Sequence, residues 1–128
     1  MNASPHQGTK ILILDDQPGL AETFALSLRH YGYSAAAFTS ACKALEAIEG
    51  YDILVTDYHM PEMTGLDVAR QAYSQGWRGS LFLMSGHPAA IKEVVEHPLL
   101  RIVLQKPFSS QTLVQALNNT PSFPTTAQ

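Results

Sequence analysis

The chain is short of cysteine, of basic side chains and of long apolar runs. One cysteine among 128 residues, Cys42, excludes an internal disulfide and suits a reducing compartment. Its thiol reads as a helix-face residue rather than a redox centre. Eight Lys and Arg stand against 11 Asp and Glu, for a net charge of −3, and the basic residues are scattered. No electrostatic footprint for nucleic acid is expected from that balance. No apolar stretch approaches the roughly 20 residues of a membrane span. Residues 1–9 are polar and hold no signal-peptide core. Charged residues make up only 15% of the chain while 45% is hydrophobic, a composition that buries a core rather than staying disordered. The expectation is one soluble cytoplasmic domain that contacts neither nucleic acid nor membrane.

What the chain does have is alternation. Strand-like apolar runs occur at Lys10–Leu14, Tyr33–Phe38, Asp52–Asp57, Ser80–Met84 and Arg101–Gln105. Helix-like segments follow each of them. Pro18 stands in the first turn of the first helix, where a missing N–H costs little. Its apolar residues Leu20, Phe24, Leu28 and Tyr31 recur at helical spacing, and Gly32 is a stop signal. Thr39 or Ser40 caps the second helix, with Ala41, Ala44, Leu45 and Ile48 inward. Thr64, with Asp67 three residues on, makes a shortened capping box for the third, whose inner face is Leu66, Ala69 and Tyr73 and whose stop is Gly76. Pro88 opens the fourth. Ser109 caps the fifth, where Leu113, Val114 and Leu117 pack inward and Phe108 staples onto Leu113. The third, fourth and fifth runs are nearly continuous in apolar residues, as strands buried on both faces require. Five such repeats make an α/β domain of the doubly wound (βα)5 kind, a parallel sheet with helices on both faces. It spans residues 10–118, between segments 1–9 and 119–128 that read as flexible ends or linkers.

In an open α/β sheet the carboxyl ends of the strands share one edge, and ligands bind there. Asp15, Asp16, Asp57, Ser85 and Lys106 all fall at such ends. Three acids held close repel one another unless a cation intervenes. Hard oxygen donors with room for water suit Mg2+, or Mn2+, better than Zn2+. A carboxylate beside such a cation can attack phosphorus and form an acyl phosphate. The cation and Lys106 would neutralise the phosphoryl oxygens, with Ser85 donating a hydrogen bond. Pro107 aims the preceding lysine, and a cis bond there is expected.

The motifs Ile-Leu-Asp-Asp at 13–16, Val-Thr-Asp-Tyr-His-Met-Pro-Glu-Met-Thr-Gly-Leu-Asp at 55–67, Leu-Met-Ser-Gly-His at 83–87 and Leu-Gln-Lys-Pro-Phe at 104–108 appear in this order. A chain carrying them resembles a response-regulator receiver domain of bacterial two-component signalling, over about residues 9–118. The resemblance implies a flavodoxin-like fold with strand order 2-1-3-4-5. It implies that Asp57 is the phosphoacceptor, and that Asp16 ligates Mg2+ directly while Asp15 acts mainly through water. The third protein ligand would be the backbone carbonyl of His59. Ser85 would move toward the phosphoryl group and Lys106 would pair with it. The donor would be a phosphohistidine on a sensor histidine kinase or phosphotransfer protein. Phosphorylation would alter the surface of the fourth helix, fifth strand and fifth helix, for a downstream effector. Such a domain assists its own phosphorylation and dephosphorylation and is not a turnover enzyme.

The sequence departs from the family pattern at three places. Val103 stands where the family commonly has a switching aromatic. His59 and His87, each two residues past a site residue, occupy positions that flank the phosphoryl group in the family. Two imidazoles there would make the chemistry pH-sensitive between about 5 and 8; the alternative is two exposed loop histidines without a special role. Leu99-Leu100 would form an apolar dimer patch or be buried at the entrance of the fifth strand, so a monomer or weak dimer is expected. Three other readings compete. A degenerate receiver would bind a partner without being phosphorylated. An aspartyl-phosphate phosphatase of the haloacid dehalogenase type needs Asp-x-Asp after the first strand, and Asp15-Asp16-Gln17 fails that spacing. A flavodoxin-like cofactor binder needs a Ser, Thr and Gly-rich loop where this chain has Asp-Asp-Gln-Pro-Gly.

Overall fold

The apolar runs and their capping residues set the elements of the computed structural model, which describes residues 9–87 and 97–119. The order is β1 (Lys10–Leu14), α1 (Pro18–His30), β2 (Ser34–Phe38), α2 (Ala41–Ala47) continued by a short 3-10 turn (Ile48–Gly50), β3 (Ile53–Asp57), α3 (Gly65–Ser74), β4 (Ser80–Ser85), β5 (Leu100–Gln105) and α4 (Ser110–Asn118). The helix expected from Pro88 lies outside the described residues. The label α4 therefore belongs to the helix expected after Ser109. All strand pairs are parallel, in the order β2-β1-β3-β4-β5.

Side chains alternate across a strand, so each run feeds two cores. On one face Ile11, Ile13, Val55, Phe82 and Met84 pack beneath α1 and α4. On the other Leu12, Leu14, Leu54, Leu81 and Leu83 pack beneath α2 and α3. Each fully buried Leu, Ile or Phe contributes about 1.5–3 kcal/mol. The two cores together fix the register, because a one-residue slip would exchange every side chain between faces.

The caps form as the sequence predicts. Ser40 accepts the N–H of Lys43, Ser109 that of Thr112, and Thr64 with Asp67 completes a reciprocal capping box. Gly32 and Gly76 take positive φ, 102° and 104°, and end α1 and α3. Behind each glycine the chain folds back. Tyr33 donates its N–H to the Leu28 carbonyl and Trp77 to that of Ala72, both at 3.0 Å. These are Schellman closures, which bring the residue after the glycine against the last helical turn.

That closure corrects one expectation. Tyr31 does not line the inner face of α1: it is the cap residue and is 48% exposed. Tyr33, beyond the glycine, takes the buried place instead. A second correction concerns β5. It is not buried on both faces; Arg101 is exposed and Ile102 is 40% exposed. Among the described residues the strand pairs with β4 alone, and a register shift opposite Leu81 and Phe82 breaks its alternation. An edge strand has lateral neighbours on one side only, so fewer of its side chains are covered. Leu99, Leu100 and Val103 are half-buried against the α2–α3 core. Phe108 packs in the α1–α4 core, stacked on Phe24 at 5.1 Å between ring centroids. Cys42 is exposed on α2. Among the described residues no helix is long and apolar enough to cross a membrane.

Candidate functional site

The carboxyl ends of β1, β3, β4 and β5 bring the acids, the hydroxyl and the lysine to one edge. β1 delivers Asp15, whose backbone N–H is held by the carbonyl of Phe38 at 3.1 Å. β3 ends on Asp57. Carboxylate oxygens of Asp15, Asp16 and Asp57 all lie within 4.8 Å of one another. Asp15 is fully buried, Asp57 is 7% exposed and Asp16 is exposed. Sequence separation between these acids is thus cancelled by the β1–β3 pairing.

Lys106 reaches into this cluster from the turn after β5. Its Nζ lies 2.8 Å from Asp15 Oδ2 and 3.5 Å from Asp57 Oδ1. The bond to Pro107 is cis, as the sequence suggests, and the Lys106 N–H donates to the Ser85 carbonyl at 2.8 Å. Each Asp15 oxygen is engaged, Oδ1 accepting the N–H of Gln17 at 2.9 Å and Oδ2 accepting the lysine, which leaves further lone pairs for a cation or its water. Among the described residues Asp16 makes no side-chain hydrogen bond of this kind, so its carboxylate faces solvent and incoming ions. Beside it opens a cleft of about 210 Å3, lined by Thr39, Ser40, Met60 and Met63 among others.

One ammonium does not balance three carboxylates. Burial raises the Asp57 carboxyl above the ordinary value of 3.8; Lys106 opposes this, and the charges of Asp15 and Asp16 push it further up. The donor set therefore fits a hard divalent cation: oxygen only, net negative, and open on the Asp16 side. Asp15, Asp16 and Asp57 are the side chains that would hold it.

A stability consequence follows for metal-free protein. Below pH 3.8 the Asp57 carboxyl is protonated in both folded and unfolded chains and costs nothing. As pH climbs through the raised folded value, the unfolded chain has already released its proton and the native state loses stability. Asp57→Asn removes that loss. In the presence of a chelator the variant is expected to melt above the parent at neutral pH, with the gap closing toward acid. Thermal unfolding of both proteins across that range is the check; a gap independent of pH would assign the effect to packing.

Two further details anchor the site. Gly65, the first residue of α3, sits so close to β3 that a Cβ there would collide with the Asp57 carbonyl and lie 2.8 Å from Thr56 Cγ2. A glycine lets the capped helix abut the strand that presents Asp57. The second detail escaped sequence reading. Ser85 is fully buried, and its Oγ lies 3.1 Å from Nε2 of His59 while also accepting the N–H of His87 at 3.1 Å. Both histidines are exposed loop residues, yet both meet the same hydroxyl. The only sequence signal was their matched position, two residues beyond Asp57 and two beyond Ser85.

Comparison with known proteins places this geometry. The family model described as response regulator receiver domain matches residues 11–118. The response regulator protein TodT of Pseudomonas putida is 33% identical over 112 residues, covering 84% of this chain and 48% of TodT. The chain thus spans about half the length of the curated relatives it matches. A solved receiver domain from Methylobacillus flagellatus shares the fold with a TM-score of 0.72 at 26% identity, over 87% of this chain and 97% of that one. A solved response regulator receiver protein from Sinorhizobium medicae matches with a TM-score of 0.72 at 31% identity, over 85% of this chain and 90% of that one.

Proposed function

The chain belongs to the response regulator receiver domain family, and on that footing we propose that it is a phosphorylation switch whose acceptor is Asp57. The observation that supports this most is the setting of that carboxylate: buried at the end of β3, between two further acids and 3.5 Å from the Lys106 ammonium. An Asp57 oxygen attacks the phosphorus of a phosphohistidine on a sensor kinase or phosphotransfer protein. The P–N bond breaks, and the donor's ring nitrogen keeps the electron pair. Asp16, Asp57 and the backbone carbonyl of His59, with Asp15 mainly through water, would hold Mg2+, which would supply positive charge to the phosphoryl oxygens.

The chain's own residues do the rest. Burial at the end of β3 lowers the local dielectric and strengthens each charge around the acceptor, while the Asp16 side stays open. Lys106 leaves Asp57 for the phosphoryl oxygens while staying anchored by Asp15, so its ammonium is aimed in both states. Ser85 turns its hydroxyl toward the same group. Because Ser85 ends β4 and Lys106 directly follows β5, their displacement is felt along β5 and α4. Val103 is aliphatic, so propagation runs through these two groups rather than through a swinging aromatic ring. The partner domains that supply and read the phosphoryl group act on that surface.

Incubation with acetyl phosphate and Mg2+ tests the reading. One phosphoryl group per chain is expected, labile to hydroxylamine as an acyl phosphate is, and absent when the metal is chelated. No labelling under these conditions would leave only a partner-binding role.

A further inference from the structure

We propose that His59 is a positioning residue that holds the Ser85 hydroxyl in the resting arrangement and competes with a phosphoryl group for it. The inference rests on Asp57 being the phosphoacceptor. His59 Nε2 and Ser85 Oγ meet at 3.1 Å across 26 residues of sequence. The imidazole is placed there by fixed backbone. Tyr58 donates its N–H to the Met84 carbonyl at 2.8 Å, and its own carbonyl accepts the N–H of Gly65 at 2.9 Å. The loop that carries His59 is thus tied to β4 on one side and to the start of α3 on the other. The ring also packs edge-on against buried Tyr58, at 4.9 Å between centroids.

A serine hydroxyl has one proton and two lone pairs. The His87 N–H already fills one lone pair of Ser85. If Nε2 of His59 is bare, it accepts the hydroxyl proton, and none is left for a phosphoryl oxygen. If Nε2 carries hydrogen, it donates into the second lone pair, and that bond breaks when the hydroxyl rotates away. In either tautomer the contact exists in the resting arrangement and is lost when Ser85 turns toward Asp57. An interaction made in one of two states shifts their balance by its own free energy. For one hydrogen bond at an exposed ring this is about two- to tenfold in the equilibrium.

The test compares the parent with His59→Leu, which removes the bond, and His59→Gln, whose amide reaches a similar distance and keeps it. Beryllofluoride with Mg2+ serves as the phosphoryl mimic. His59→Leu is expected to bind it about two- to tenfold more tightly than the parent, and His59→Gln to bind as the parent does. A second readout needs no ligand. In metal-free protein the Hα–Hβ couplings of Ser85 should report one rotamer in the parent and in His59→Gln, and averaging in His59→Leu. Equal or weaker beryllofluoride binding by His59→Leu overturns the proposal, and so do unchanged Ser85 couplings. If the parent itself takes up no beryllofluoride while the couplings still change, the phosphoacceptor reading has failed, and the competition proposed for His59 falls with it.

Discussion

Asp57→Asn is expected to take up no phosphoryl group from acetyl phosphate and Mg2+, whereas the parent takes up one. The substitution is nearly isosteric, so the β3–α3 junction at Gly65 keeps its shape and the loss reports the nucleophile. An amide oxygen lacks the charge needed to attack phosphorus, and no acyl phosphate forms on it. The neighbouring acids are poor substitutes. Both oxygens of Asp15 are engaged, by the Gln17 N–H and by Lys106. Asp16 is exposed, where a competing water is always at hand. Intact-mass measurement after labelling decides the matter. A phosphoryl group found on the Asp57→Asn variant would move the nucleophile to another residue and remove the basis of the proposed function.

The next largest effect is expected from Lys106→Ala. Its ammonium is the cation closest to two buried carboxylates, 2.8 Å from Asp15 and 3.5 Å from Asp57. Removing one member of a buried pair strands the other charge and costs about 3–5 kcal/mol. Here an exposed flank at Asp16 admits water and ions, so the lower end, about 3 kcal/mol, is expected for metal-free protein at neutral pH. Added Mg2+ should restore part of the loss, since it supplies charge to the same acids. Labelling by acetyl phosphate should persist at a reduced rate. The response of β5 and α4 to beryllofluoride should not persist, because the group proposed to couple the acceptor to β5 is gone. Chemical denaturation with and without Mg2+, with amide shifts of β5 and α4, reads these outcomes. A variant as stable as the parent in chelator, or one whose β5 and α4 shifts survive, contradicts the role assigned to Lys106.

The two variants separate chemistry from transmission. Asp57→Asn is expected to stay folded and go unlabelled; Lys106→Ala is expected to be labelled and stay mute. The stabilisation of metal-free Asp57→Asn has the same origin as the instability of Lys106→Ala: more negative charge is buried at the strand ends than one ammonium can offset.

Local signals were read at the level of single residues. Ser40, Thr64 and Ser109 cap because a short side-chain oxygen can reach the N–H three residues on, whatever surrounds it. Gly32 and Gly76 end helices because only glycine takes positive φ without strain. The site acids and Lys106 were legible because topology fixes where a parallel strand ends. Failures came where the chain leaves an element. Tyr31 fits the helical period of α1, but the Schellman closure hands the buried position to Tyr33. Ile102 fits a buried strand, but the edge position and the shifted register leave it uncovered. The helix expected from Pro88 lies outside the described residues.

By itself the sequence determined the alternation of elements, their caps and stops, and the set of residues at the carboxyl edge, because these depend on backbone preference and on side-chain period. Only the tertiary structure decided which of those residues touch. Lys106 spans 91 positions to pair with Asp15, Gly65 seats α3 against the carbonyl of Asp57, and His59 meets the hydroxyl of Ser85. Such contacts come from the packing of β1, β3, β4 and β5 side by side, and tenths of an ångström in that packing separate a hydrogen bond from a near miss.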